Sequence, residues 1–146
     1  MDNPGPQQLT IAGGAFQIAG PATLQSDVIG GQPGGVDLTG AVSATIQAKF
    51  STGLSAGVSV TVYIQTSLDQ GNSWVDIACF GFTNVNASPI VNLSGLTPRT
   101  APVAPTYQGL TPGYCVDGVL GDRFQAIAVV EGTYVGAVLN LTMMLR

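Results

Sequence analysis

The stretch that most constrains this chain is residues 67–74, Ser67, Leu68, Asp69, Gln70, Gly71, Asn72, Ser73 and Trp74. It separates two runs that read as strands. Before it, Val58, Val60, Val62 and Ile64 alternate with Ser59, Thr61, Tyr63 and Gln65. After it, residues 74–82 are mostly apolar. Two strand-like runs joined by a short Asp/Gly/Asn/Ser segment predict a β-hairpin. Each turn residue has a physical role. Asp69 can accept hydrogen bonds from turn amides a few residues on. Gly71 can take a positive φ without steric cost. Trp74, the single tryptophan, opens the return strand, where its apolar face can cover the turn and pack into the core.

The rest of the chain extends this β character. Its 146 residues suit one domain. Val42, Ala44, Ile46, Ala48 and Phe50 recur at period two, the mark of a one-sided antiparallel strand. Residues 123–130 are largely apolar on both faces and read as a central strand; residues 137–145 read as the last strand. Residues 49–64 and 129–144 echo one another as strand, Gly-containing turn, strand, and predict two similar hairpins. The fold expected is an all-β, jelly-roll-like antiparallel β-sandwich of about eight to ten strands. Residues 1–8, with Pro4 and Pro6, read as a flexible N-terminal arm and 9–146 as the domain. Residues 95–113 carry Pro98, Pro102, Pro105 and Pro112 without periodicity; loops of this length often make contacts.

The chain has no histidine, which excludes Ser-His-Asp and Cys-His catalysis and most zinc sites. Cys79 and Cys115 read as free thiols without a nearby base. Asp69 and Asp76 flank the hairpin, Asp69 as a turn acceptor; Asp117 and Asp122 read as turn residues, Asp122 having Arg123 beside it. No calcium-loop or phosphate-loop pattern occurs. The expectation is a non-enzymatic protein with no cofactor and no metal. Four basic residues form no stripe that could neutralise phosphates, so nucleic-acid binding is not expected. No apolar run is long enough for a membrane span, and residues 1–6 lack the pattern of a targeting signal. Charged residues make up 8% of the chain, against about 25% in a typical domain. Such sparse charge predicts a surface largely covered by partners.

Two resemblances follow. Ser67, Asp69, Gly71 and Trp74 resemble the Asp-box, Ser-x-Asp-x-Gly-x-x-Trp, of sialidases and other β-proteins, with Ser73 where threonine is more usual; there the box is a structural turn. Residues 63–78, together with Asp117 to Phe124 and Gly132 to Gly136, resemble segments of small virion proteins of tailed bacteriophages. That resemblance implies a structural particle protein, made in the bacterial host cytoplasm and resident in the virion. It would act as a capsid cement or decoration protein, or as a neck or collar protein. It would contact major capsid or portal and neck subunits and itself as a homo-oligomer. Pro4, Pro6, Pro102, Pro105, Tyr107 and Tyr114 are the candidate contacts. The alternative is a carbohydrate-binding tail adhesin domain, with Tyr107 and Tyr114 stacking on sugars.

Overall fold

The computed structural model describes residues 6–9, 16–18, 22–25, 36–37, 42–53, 57–83, 85–98 and 100–145. Pro4 lies outside the described residues. Among the described residues there are ten strands: β1 (Pro6–Leu9), β2 (Phe16–Ile18), β3 (Ala22–Gln25), β4 (Val36–Asp37), β5 (Ser43–Ser51), β6 (Ser59–Ser67), β7 (Val75–Phe82), β8 (Ile90–Ser94), β9 (Arg123–Glu131) and β10 (Ala137–Leu145). There is no helix among the described residues.

All pairing is antiparallel. The first sheet runs β1–β10–β5–β8, with β2 further along the β10 edge that β1 uses. The second runs β3–β9–β6–β7, with β4 likewise sharing an edge of β9. Each sheet is therefore four positions wide. The first position in the chain pairs with the last (β1/β2 with β10) and the second with the second-last (β3/β4 with β9). The third pairs with the third-last (β5 with β8), and the middle two with each other (β6 with β7). This is one long antiparallel ribbon wound into a sandwich, the jelly roll. Its tip is the β6–β7 hairpin, at the turn of residues 67–74.

Period-two alternation fills the space between the sheets. Ile46, Ala48 and Phe50 of β5 and Leu139, Leu141 and Met143 of β10 face Val60, Val62 and Ile64 of β6 and Phe124, Ala126 and Ala128 of β9 in one core. The ends of the pattern fall outside it: Val42 and Val58 are exposed. Strand β9 is central, with Phe124 to Ala128 buried continuously, as a two-sided apolar strand must be.

Two expectations need correction. Pro6, Gln7 and Gln8 pair with β10, so the first strand begins inside the segment read as an arm. The echoing segments are not hairpins. β5 and β6 lie in different sheets, as do β9 and β10, so the described residues 52–53, 57–58 and 132–136 belong to arches from one sheet to the other. The arches instead pack on each other. A Cβ on Gly53 (φ 75°) would overlap the Val135 carbonyl, and one on Gly132 (φ 82°) would meet the Val58 amide. Glycine is required there by both conformation and space. Elsewhere, Cys115 makes an isolated antiparallel bridge to Ala78.

Candidate interaction surface at the ribbon tip

The turn at the tip is held by its own side chains. The Ser67 hydroxyl accepts from the Gly71 amide at 2.8 Å and the Asp69 amide at 3.2 Å, and donates to Asp69 Oδ1 at 2.9 Å. Asp69 also accepts from the Ser73 amide (2.8 Å) and hydroxyl (2.7 Å). Gln70 and Gly71 both have positive φ, 61° and 94°. The Ser73 and Ser67 bonds hold the Asp69 carboxyl below its usual range, since they favour the charged form. Trp74 is half-buried and stands outside the buried core. It precedes β7 and has the parity of Asp76, which faces outward, so its ring does not enter the sandwich.

The turn is also tied to the strand behind it. The Asp122 amide donates to the Ser67 carbonyl at 2.8 Å, and Gln70 donates to Asp122 Oδ2 at 3.1 Å. A Cβ on Gly121 would overlap that same Ser67 carbonyl.

Beside the turn, a β-bulge in β7 at Ile77 sets Gln65 opposite Asp76 and Ile64 opposite Ala78. Gln65 also stands opposite Gln125 of β9. The three side chains form one row across the outer face of the second sheet, and all are buried. Gln125 donates to Gln65 Oε1 at 2.7 Å, and Gln65 donates to Asp76 Oδ1 at 2.8 Å. Asp76 then gathers the Pro-rich loop. It accepts from the Thr106 hydroxyl (2.9 Å) and from the amides of Gln108 (3.0 Å), Gly109 (2.8 Å) and Leu110 (3.1 Å). Burial raises the Asp76 carboxyl, but the bonds from Gln65, Gly109, Gln108 and Thr106 outweigh it and leave the group below its usual range.

The loop therefore lies over the outer face of the second sheet and seals its edge. The Asp76 amide donates to the Thr106 carbonyl, Cys79 exchanges bonds with Gly113 and Tyr114, and Val116 donates to the Ile77 carbonyl. Pro112 sits against Gly81, where a Cβ would crowd it at 2.8 Å. Beneath this cover the Cys79 thiol is free and buried, whereas Cys115 is free and exposed. Burial, reinforced by the Asp76 carboxylate, pushes the Cys79 thiol up to about 12.

Between the loop, the turn and the start of β7 lies a cavity of about 720 Å³. Leu68, Val75, Pro102, Val103, Pro105, Val116 and Val119 make its walls mainly apolar. The structure thus brings Pro102 and Pro105 together with Leu68 of the turn. Tyr107 and Tyr114 are 57% and 65% exposed and do not line the cavity. Pro6 is in β1, paired with Met144. Asp117 accepts from the Ser94 amide at 2.7 Å and the Thr97 hydroxyl at 2.8 Å, a turn acceptor as its position suggests. Asp76, the hub of the arrangement, looks in the sequence like any strand-end carboxylate. Its one signal was a charged residue inside an otherwise apolar run.

No helix of the described residues is long and apolar enough to cross a membrane. Among the described residues, no group of three or more potential ligands could hold a metal ion. Comparison with family models, curated proteins and solved structures finds no match to this chain.

Proposed function

We propose that the chain is a non-enzymatic structural component of a tailed-phage particle, a capsid cement or decoration protein or a neck or collar protein, that stabilises the assembly through subunit contacts. The observation that carries this reading is the Pro-rich loop. A buried carboxylate fixes it against the sheet by five hydrogen bonds, one from Gln65 beneath it and four from the loop. It presents a cavity of about 720 Å³ whose walls are mainly apolar and whose lining carboxylate, Asp76, is already bonded to the loop. A surface held rigid before contact lowers the ordering cost of binding. An apolar patch of this kind suits subunit packing, which buries it. The segments that resemble virion proteins include this turn and the strands around it.

The test is incorporation. Val103→Asp places a charge in the cavity wall on a loop residue that is only half-buried. The variant should keep its melting temperature and be lost from purified particles that hold the parent chain. Incorporation equal to the parent, or a parent chain missing from particles, refutes the reading. The exposure of Tyr107 and Tyr114 keeps the adhesin alternative in view. Glycan-array binding that Tyr107→Ala or Tyr114→Ala abolishes would favour it instead.

A further inference from the structure

The edge strands of the two sheets are treated differently. The outer edge of β7 is sealed by the loop at Asp76, Ile77 and Cys79. Among the described residues, the outer edge of β8 is sealed at Ser94, which donates to Asp117 Oδ1 at 2.7 Å and accepts from the Gly118 amide at 3.0 Å, and just before the strand the Ser88 carbonyl accepts from the Gln47 side chain at 3.3 Å.

The register fixes which groups remain. Ala87, Pro89 and Gly95 bond to Phe50, Ala48 and Val42, so alternate residues from 87 to 95 turn their backbone toward β5. The N–H and C=O groups of Ile90 and Asn92 therefore point away from the sheet. Pro89 does not protect this edge, because its missing N–H is on the β5 side. No charged residue occurs between Asp76 and Arg99, so no charge guards it either. Ile90 is 63% exposed, and Asn92 shares its outer face, accepting from the Thr45 hydroxyl.

We infer that β8 pairs edge to edge with β8 of a second copy, antiparallel about a two-fold axis at Ile90, so that the first sheet runs unbroken through the dimer. Ile90 exchanges N–H···O=C bonds with Ile90 of the second copy, and Asn92 does so with Ser88, whose carbonyl accepts from the Gln47 side chain at 3.3 Å and has a second lone pair for the ladder. The axis lies at Ile90, not Val91, because residues 117–118 occupy the position beside Ser94. With the axis at Ile90, the residue facing Ser94 is Asn86, just outside the Phe50–Ala87 bridge where the chain leaves the ladder. With the axis at Val91 it would be Ser88, still within the ladder. The two Ile90 side chains then cover each other on the outer face, and an uncharged edge brings no like charges together. This interface does not depend on residence in a virion.

Sedimentation of the full-length chain across a micromolar concentration series should show a monomer–dimer equilibrium. Ile90→Lys faces two lysines across the axis and should weaken the dimer about 100-fold, with the melting temperature of the monomer unchanged. Asn92→Pro removes an N–H that β5 does not use and should do likewise. Ile90→Cys in a Cys115→Ser background should form a covalent dimer on oxidation, because directly opposed residues fall within disulfide reach. A monomeric parent chain, a dimer indifferent to both edge variants, or a cross-link that forms from Asn92→Cys and not from Ile90→Cys overturns the proposal.

Discussion

The two ends of the sandwich are closed by opposite means. At the arch end, Phe50 stacks on Phe82 with ring centroids 4.9 Å apart, and Tyr134 meets Phe50 edge-on at 5.9 Å. Gly57 lies flat on the Tyr134 ring, where a Cβ would overlap it, and the Tyr134 hydroxyl donates to the Thr83 carbonyl at 2.8 Å. At the ribbon tip, closure is polar. Ser67, Asp69, Asp76 and Asp122 each accept amides from turn or loop residues, and Asp117 ties its own loop to the end of β8 by accepting from the Ser94 amide. Apolar packing needs no particular protonation state. Carboxylate acceptors do, and they hold long irregular segments that no hydrophobic stripe could order. The tip can therefore carry a shaped cavity while the arch end is a plug.

The contrast makes graded predictions. Tyr134→Ala should cost about 3–5 kcal/mol of global stability in urea denaturation, the range for emptying a buried aromatic site. A loss no larger than that of an exposed residue would break the comparison from the arch side. Asp76→Ala should cost less, about 2–3 kcal/mol, and should act locally. Hydrogen exchange should show amides 108–110 unprotected while β9 and β10 keep their protection. Cys79, inert to thiol reagents in the native parent chain, should become reactive as the loop lifts. Global unfolding with no separate loop opening would show that the tip is not an independent layer.

Acid should reproduce that effect reversibly. The folded Asp76 carboxyl lies below its unfolded value of about 3.9, so its contribution is complete above about pH 5 and is lost as pH falls through the folded value. Parent stability should drop between about pH 5 and pH 3 more steeply than that of Asp76→Ala, which lacks the group. Equal slopes would remove Asp76 from the account. The smallest effect belongs to Asp69→Ala, since that carboxylate is exposed and braces only its own turn. Its melting temperature should fall slightly, with the β6–β7 register kept; an unchanged melting temperature would leave the turn's stability to Ser67 and the glycine alone.

Much of the fold was legible because local rules and tertiary demands agree. Alternation at 42–50 and 58–66 marks one buried face, and the Asp/Gly/Asn/Ser turn marks the hairpin. The echo of 49–64 and 129–144 was visible but read as two hairpins. Sequence reports a strand, a Gly turn and another strand identically whether the turn folds back in one sheet or arches to the next. The Pro-rich loop was recognised as a loop, but its fastening was not. Asp76 became a hub only because the bulge at Ile77 put it opposite Gln65, and Gln125 is 60 residues further along the chain.

By itself, then, the sequence determined an all-β chain with a self-bonded turn at residues 67–74, since side-chain alternation and turn chemistry are local properties. The tertiary structure decided that this turn is the tip of a wound ribbon, that the loop lies over the second sheet, and that the β8 edge is left open at Ile90 and Asn92. Those depend on which strands become neighbours, and neighbours in a jelly roll are residues far apart in the chain.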